Sequence, residues 1–242
     1  IIQGVVIMTI GCLFVHGFGG APYELKPLYE EINQSTDWIL KFPILPGHSE
    51  QESLEGRQFE EWIQKAEENL QELSNTCETI NLIGYSMGGM IAAYLSTKYK
   101  VDKLILLSTS AHYIDTGQIA KDLWKMIKDG MQGDLTENDM FQRYIQRLGS
   151  APMSASIQFQ KLVNELRPCF QKVYVPSLIV QGGEDGLLPP KSAEFIYESI
   201  PAADKTLHFL PQSKHMVCYG PEQDDLINLC CEFLDMDKRI EL

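Results

Sequence analysis

Ile80-Asn81-Leu82-Ile83-Gly84-Tyr85-Ser86-Met87-Gly88-Gly89-Met90-Ile91-Ala92-Ala93-Tyr94-Leu95 is the stretch from which the rest of the chain can be read. An apolar run typical of a buried strand breaks at a serine flanked by glycines, then resumes with the small-residue spacing of a helix packed on a sheet. Gly84-x-Ser86-x-Gly88 is the pattern of a nucleophile elbow, a strand-to-helix turn tight enough to push one hydroxyl clear of the sheet edge. Ser86 is predicted at its apex in a strained backbone conformation, with glycine at 84 and 88 because a Cβ there would collide across the turn. The N–H of Met87 opens the next helix, with the positive end of the helix dipole behind it, and is placed to meet a developing oxyanion. Serine between glycines is often just a loop; here the strand before it and the helix through Gly89, Ala92 and Ala93 supply the context the motif requires.

A chain of 242 residues is long enough for one large α/β domain, and no Pro/Ser/Gly-rich linker or charge run divides it. Its net charge of −13, from 20 basic and 33 acidic residues, argues against nucleic acid and anionic membrane surfaces as partners. A small neutral substrate is expected instead. Cys12, Cys77, Cys169, Cys218, Cys230 and Cys231 show no C-x-x-C metal or redox spacing, so they read as reduced, mostly buried thiols of a cytoplasmic protein. The apolar start, Ile1 to Val15, is interrupted by Gln3, Gly4 and Gly11 and lacks a basic flank. It reads as a buried strand rather than a signal peptide or an integral membrane segment. Gln3-Gly4-Val5 is encodable by a purine-rich stretch of the ribosome-binding kind, so Ile1 to Ile7 read as translated leader before a start at Met8.

Ile10 to Val15 is a buried parallel strand opening into His16-Gly17-Phe18-Gly19-Gly20. An H-G-x-G loop after a central strand is where a second oxyanion N–H is supplied, here that of Phe18. His16 is expected to hold this loop by hydrogen bonds rather than to act as the catalytic base, which belongs on a late loop. Glu24 to Gln34 has helical spacing, and Trp38 to Ile44 reads as a strand that stops at Leu45-Pro46-Gly47-His48-Ser49, where His48 braces the turn. Phe59, Trp62, Ile63, Ala66, Leu70 and Leu73 form the apolar face of a surface helix. Lys103 to Ser108 is a further buried strand, so strand and helix alternate and a mostly parallel, doubly wound sheet follows.

Residues 112–172 break that rhythm with three helical stretches, near Gln118 to Gly130, Asp139 to Leu148 and Ala155 to Leu166. They read as a helical cap inserted into a core formed by residues 1–111 and 173–242. Trp124, Met126, Met131, Met140, Phe141, Tyr144, Met153 and Phe159 either line an acyl pocket or pack the cap's own core. Val173 to Gln181 resumes the strand pattern and ends at Gly182-Gly183-Glu184-Asp185-Gly186. A helix from Lys191 to Ser199, a strand from Lys205 to Leu210, the loop carrying His215 and a closing helix from Glu222 to Leu234 complete the chain.

Ser86, Asp185 and His215 thus occur in the order serine, acid, histidine, each at or beyond the C-terminal end of a strand. Serine is a weak nucleophile, histidine removes its proton during attack, and a buried carboxylate fixes the imidazole tautomer and stabilises its charge. Glu184 is the competing acid; Asp185 is preferred because it stands on the strand-end turn itself.

On these residues, together with Leu45-Pro46-Gly47-His48 and Leu188-Pro189, the chain resembles the α/β-hydrolase superfamily over essentially its whole length. It is most similar to small bacterial carboxylesterases and monoacylglycerol lipases. The resemblance implies an eight-stranded, mostly parallel sheet and a serine acyl-enzyme mechanism on neutral short- to medium-chain esters, with no metal or organic cofactor. It also places the family's oxyanion donors on Phe18 and Met87, and a monomer or homodimer is expected. Ser49 and Lys214 depart from the family, which usually has glycine at both positions. The elbow also resembles that of the hydrolase-fold lyase of menaquinone synthesis, but Met90 stands where that group has an arginine. A ligand-binding, signalling member of the superfamily is the remaining alternative.

Overall fold

The computed structural model describes residues 9–111 and 146–236. Six strands form one sheet: β1 (Ile10–Val15), β2 (Ile39–Lys41), β3 (Thr79–Tyr85), β4 (Lys103–Leu107), β5 (Ser177–Gly182) and β6 (Lys205–Leu210). Their spatial order is β2-β1-β3-β4-β5-β6, and every neighbouring pair is parallel. β1, β3, β4 and β5 are buried almost end to end, as a sheet covered on both faces requires, and their continuous Ile/Leu/Val runs are the reason these segments were legible as strands.

The chain leaves β1 for β2 on one side, then returns past β1 to β3 on the other. Right-handed connections therefore put α1 (Lys26–Ser35) on one face, and α2 (Phe59–Ser74) and α3 (Met87–Ser96) on the opposite one. The reversal opens a crevice beyond the C-terminal ends of β1 and β3, the usual ligand position in such sheets. Register sharpens it: Val15 pairs with Gly84, so the His16 loop and the Ser86 elbow leave the sheet side by side.

The described residues hold six strands where the resemblance implied eight, and two strands are shorter than the sequence suggests. β2 stops before Pro43 and β5 starts only after Pro176, because proline has no N–H to give to a ladder. The first helix begins as a 3-10 turn, Pro22–Leu25, before α1 takes over. The proposed leader and the stretch from Gln118 to Gly130 lie outside the described residues, as does the stretch from Asp139 up to residue 145.

Within the segment expected to form a cap, the described residues include the helix α4 (Met153–Leu166), which packs against α2 and α3. Gln158 ties it down by accepting the Phe59 N–H (3.4 Å) and donating to Gln58 Oε1 (2.8 Å). Met153, a candidate pocket residue, is 69% exposed at the first turn of α4, whereas Phe159 is buried. Two further helices are α5 (Lys191–Ser199) and α6 (Gln223–Phe233), the latter packed on α1.

Candidate active site

Ser86 joins β3 to α3 with φ 53° and ψ −118°, the strained apex that the elbow pattern predicted. The flanking glycines are there for space. A Cβ at Gly84 would lie 2.5 Å from the Gly88 carbonyl, across the turn as expected, but one at Gly88 would lie 2.1 Å from the carbonyl of Val15 on the neighbouring strand. The second glycine therefore lets α3 close onto β1, a different reason from the one the sequence suggested. Ser86 is also tied to β4: its N–H donates to the Leu107 carbonyl (2.9 Å), and its carbonyl accepts from Ser110 (3.3 Å).

His215 lies beyond β6 with Nε2 3.2 Å from Ser86 Oγ and Nδ1 2.7 Å from Asp185 Oδ2. A carboxylate only accepts, so Nδ1 carries the proton and Nε2 presents its lone pair to the serine hydroxyl. Asp185 is saturated with donors. Leu187 and Leu188 give their N–H groups to Oδ1 at 2.8 and 2.9 Å, and Gln181 Nε2 joins His215 on Oδ2 at 2.7 Å. Burial alone would raise this carboxyl; the charge and hydrogen bond of His215, with the Leu188 and Leu187 N–H groups, outweigh it and hold the carboxyl below its ordinary range. Glu184, the competing acid, is exposed. The order Ser86, Asp185, His215 is thus brought together in space, and Gln181 is a fourth member that sequence reasoning missed; glutamine inside an apolar strand run was its one visible signal.

Gly17 presses on the elbow: an added Cβ would sit 3.2 Å from that of Ser86. This brings the Phe18 loop alongside the serine, while Met87, as the first residue of α3, has an N–H with no acceptor inside the helix. Phe18 thus follows the glycine that abuts Ser86, and Met87 follows Ser86 in the chain. The Phe18 ring is stacked on Phe159 of α4 (centroids 5.0 Å apart, planes 9° apart) and also meets Trp62 and His48.

His16 accepts the Leu45 N–H on Nε2 (3.0 Å), so its proton is on Nδ1, which donates to the Gly17 carbonyl (2.9 Å). Burial above all, with repulsion from His48 and Arg147 against any proton gained, pushes its pKa well down, and the ring is neutral. It is a brace, as expected. His48 donates from Nδ1 to the Pro46 carbonyl at 3.1 Å, and burial pushes it down to about 4. No group of histidine, cysteine, aspartate or glutamate side chains able to hold a metal ion occurs among the described residues, and none of their helices is long and apolar enough to cross a membrane. Met90, where the lyase-like group has arginine, is fully buried in α3.

The comparisons agree with this frame. The chain is 26% identical to the thermostable monoacylglycerol lipase of Bacillus sp. (strain H-257) over 228 residues, covering 93% of this chain and 90% of that protein. It is 21% identical to the carboxylesterase of Bacillus subtilis (strain 168) over 225 residues, 92% and 91% of the two chains. The crystal structure of Paleococcus ferrophilus monoacylglycerol lipase superposes with a TM-score of 0.70 at 17% identity, over 93% of this chain and 94% of that one, a likeness that speaks for the fold. The family model described as serine aminopeptidase, S33, matches residues 12–222, and the chain belongs to that family of α/β-hydrolase serine hydrolases.

Proposed function

We propose that the protein is a carboxylesterase of the monoacylglycerol-lipase kind, hydrolysing neutral esters of short to medium acyl chain through an acyl-enzyme on Ser86. One observation carries this reading: the unbroken line from Asp185 Oδ2 through the His215 ring to Ser86 Oγ, at 2.7 and 3.2 Å, with the serine on a strained elbow. In this reading His215 takes the serine proton as Oγ attacks the ester carbonyl, and the imidazolium that forms faces a carboxylate already held charged. The N–H groups of Phe18 and Met87 receive the oxyanion. His215 then returns the proton to the departing alcohol, and water, activated by the same ring, clears the acyl group.

Three further points support the choice of substrate. Two curated relatives that align over more than nine-tenths of this chain are a monoacylglycerol lipase and a carboxylesterase. The net charge of −13 disfavours anionic substrates. The sequence over 112–172, which we read as a cap, is rich in methionine and aromatic residues suited to an adaptable apolar lid. We place the protein in the cytoplasm, as a monomer or homodimer.

The test is labelling by a fluorophosphonate followed by peptide mapping, with turnover of p-nitrophenyl esters of graded chain length. Label on Ser86 alone, lost in Ser86→Ala, is the expected result. kcat/KM should climb by roughly fourfold per added methylene, at about 0.8 kcal/mol each, until the pocket is full. Label elsewhere, or activity confined to anionic substrates, would refute the proposal.

A further inference from the structure

Glu24 lies in the 3-10 turn ahead of α1 and is buried, 1% exposed. Its Oε2 accepts the Gly17 N–H at 2.8 Å, and Gly20 folds over the carboxyl so closely that a Cβ there would stand 2.1 Å from it. Burying a carboxyl is costly, and an apolar side chain of similar size would fill the space without that cost. What the carboxyl adds is the bond to the loop.

That bond completes the restraint of one residue. The Gly17 carbonyl accepts from His16 Nδ1 (2.9 Å) and from the Gly20 N–H (3.3 Å). In a trans peptide the N–H of the next residue points away from that carbonyl, so these two donors set the direction of the Phe18 N–H. Glu24 fixes the peptide on the other side of Gly17. With both peptides held, neither φ nor ψ of this glycine is free to turn, although glycine itself offers little steric resistance to turning.

The geometry points to Glu24 as a positioning residue for the oxyanion donor: its buried carboxyl holds Gly17 so that the Phe18 N–H is aimed at the oxygen of a bound acyl group. The inference rests on the proposed reading of Phe18 as an oxyanion donor. It also carries a pH signature. Burial raises the Glu24 carboxyl to about 8, against the Gly17 N–H and the positive charge of Arg147, so at neutral pH it is mostly protonated. The groups that face it are Arg147 from residues 146–150, Cys218 and Tyr219 from the turn after His215, and the neutral His16 of the loop itself. Cys218 and Tyr219 are both raised to about 12, chiefly by burial, and stay neutral across this range. Ionisation of Glu24 puts a negative charge behind the loop, opposed to the one developing on the substrate oxygen, and kcat declines on the alkaline side.

The test compares wild type with Glu24→Gln, which keeps a neutral acceptor for Gly17, and Glu24→Leu, which removes it. kcat and KM are measured on p-nitrophenyl butyrate from neutral pH to about pH 9.5, beside amide exchange of residues 16–20 by NMR. Glu24→Leu should lose about 10- to 100-fold in kcat, less than the roughly 10²- to 10³-fold cost of deleting an oxyanion donor, with KM within about twofold. Glu24→Gln should restore kcat to within about threefold at neutral pH and lack the alkaline decline. A leucine variant with wild-type kcat would overturn the inference, and so would alkaline declines that match in wild type and Glu24→Gln. If the leucine variant does not fold, the glutamine pH profile decides alone. If wild type hydrolyses no ester, the proposed function fails separately and exchange decides the positioning role. Gly17 and Phe18 amides should exchange at least about tenfold faster in Glu24→Leu than in Glu24→Gln; equal rates sink it, and where the leucine variant is unfolded the same comparison is made between wild type and Glu24→Gln below and above pH 8, equal rates again counting against it.

Discussion

Replacing Glu24 by glutamine should make the protein more stable at pH 8 than the wild type while leaving the two nearly equal at pH 4.5. The carboxyl titrates near 4.5 when the chain is unfolded and near 8 when folded. Between those values the folded state holds a proton that the unfolded chain has lost, so the slope of stability against pH is negative. The contribution of Glu24 is complete below 4.5 and is lost as pH rises through 8. A gap of about 3.5 units at 1.36 kcal/mol each sets a ceiling of about 5 kcal/mol, of which about 4 kcal/mol is lost between pH 4.5 and 8. Glutamine has no proton to lose and still accepts from Gly17, so it removes the slope without removing the bond. In a domain of this size that corresponds to about 10 °C of Tm, easily read by calorimetry on both proteins across the range. The difference between the two melting curves isolates Glu24 from every other titrating group. Curves that stay parallel from pH 4.5 to 8 would refute the reasoning, because a carboxyl that ionises normally in the folded state contributes no such slope.

Asp185→Asn should lower kcat by roughly 10⁴-fold with the fold intact. Leu187 and Leu188 would hold the amide oxygen, turning Nδ2 toward His215 Nδ1, donor against donor, so that the ring takes the wrong tautomer. Steady-state kinetics and circular dichroism check this, and Glu184→Gln, at an exposed position, should change kcat by less than about twofold. Gly88→Ala should cost about 3 kcal/mol or more in denaturant unfolding, since its Cβ would stand 2.1 Å from the Val15 carbonyl and only backbone could give way. Phe159→Ala should destabilise by about 3–5 kcal/mol and also lower kcat, because it removes the ring on which Phe18 is stacked. An unchanged kcat would show that the stack has no part in setting the loop.

The elbow, the buried strands and the serine, acid and histidine positions were legible because each answers to a local demand. A turn in which a Cβ at Gly84 would lie 2.5 Å from the Gly88 carbonyl admits no side chain, and a strand covered on both faces admits few polar residues. Boundaries set by a single missing N–H, at Pro43 and Pro176, were legible in principle and were passed over. Glu24 and Gln181 were not read, because a glutamate at the start of an amphipathic helix looks like a solvated first-turn acid. One signal did exist: Glu24, Leu28 and Ile32 are spaced four apart, so the glutamate lies on the face that Leu28 and Ile32 bury. Gly88 facing β1, and Phe159 seated on Phe18, depend on which strand and helix become neighbours, and no local pattern carries that.

The serine's backbone is stitched at both its N–H and its carbonyl to β4 and the residues after it, through Leu107 and Ser110. Those two bonds hold the nucleophile in the frame of the sheet, and neither involves a residue beyond 111. Changes among residues 112–172, which we read as a cap, that keep the seat of Phe18 on Phe159 and the packing of α4 on α3 therefore leave those two bonds in place. Directed evolution toward bulkier esters should accordingly find its beneficial changes on the insertion side of that seat and very few in the strands.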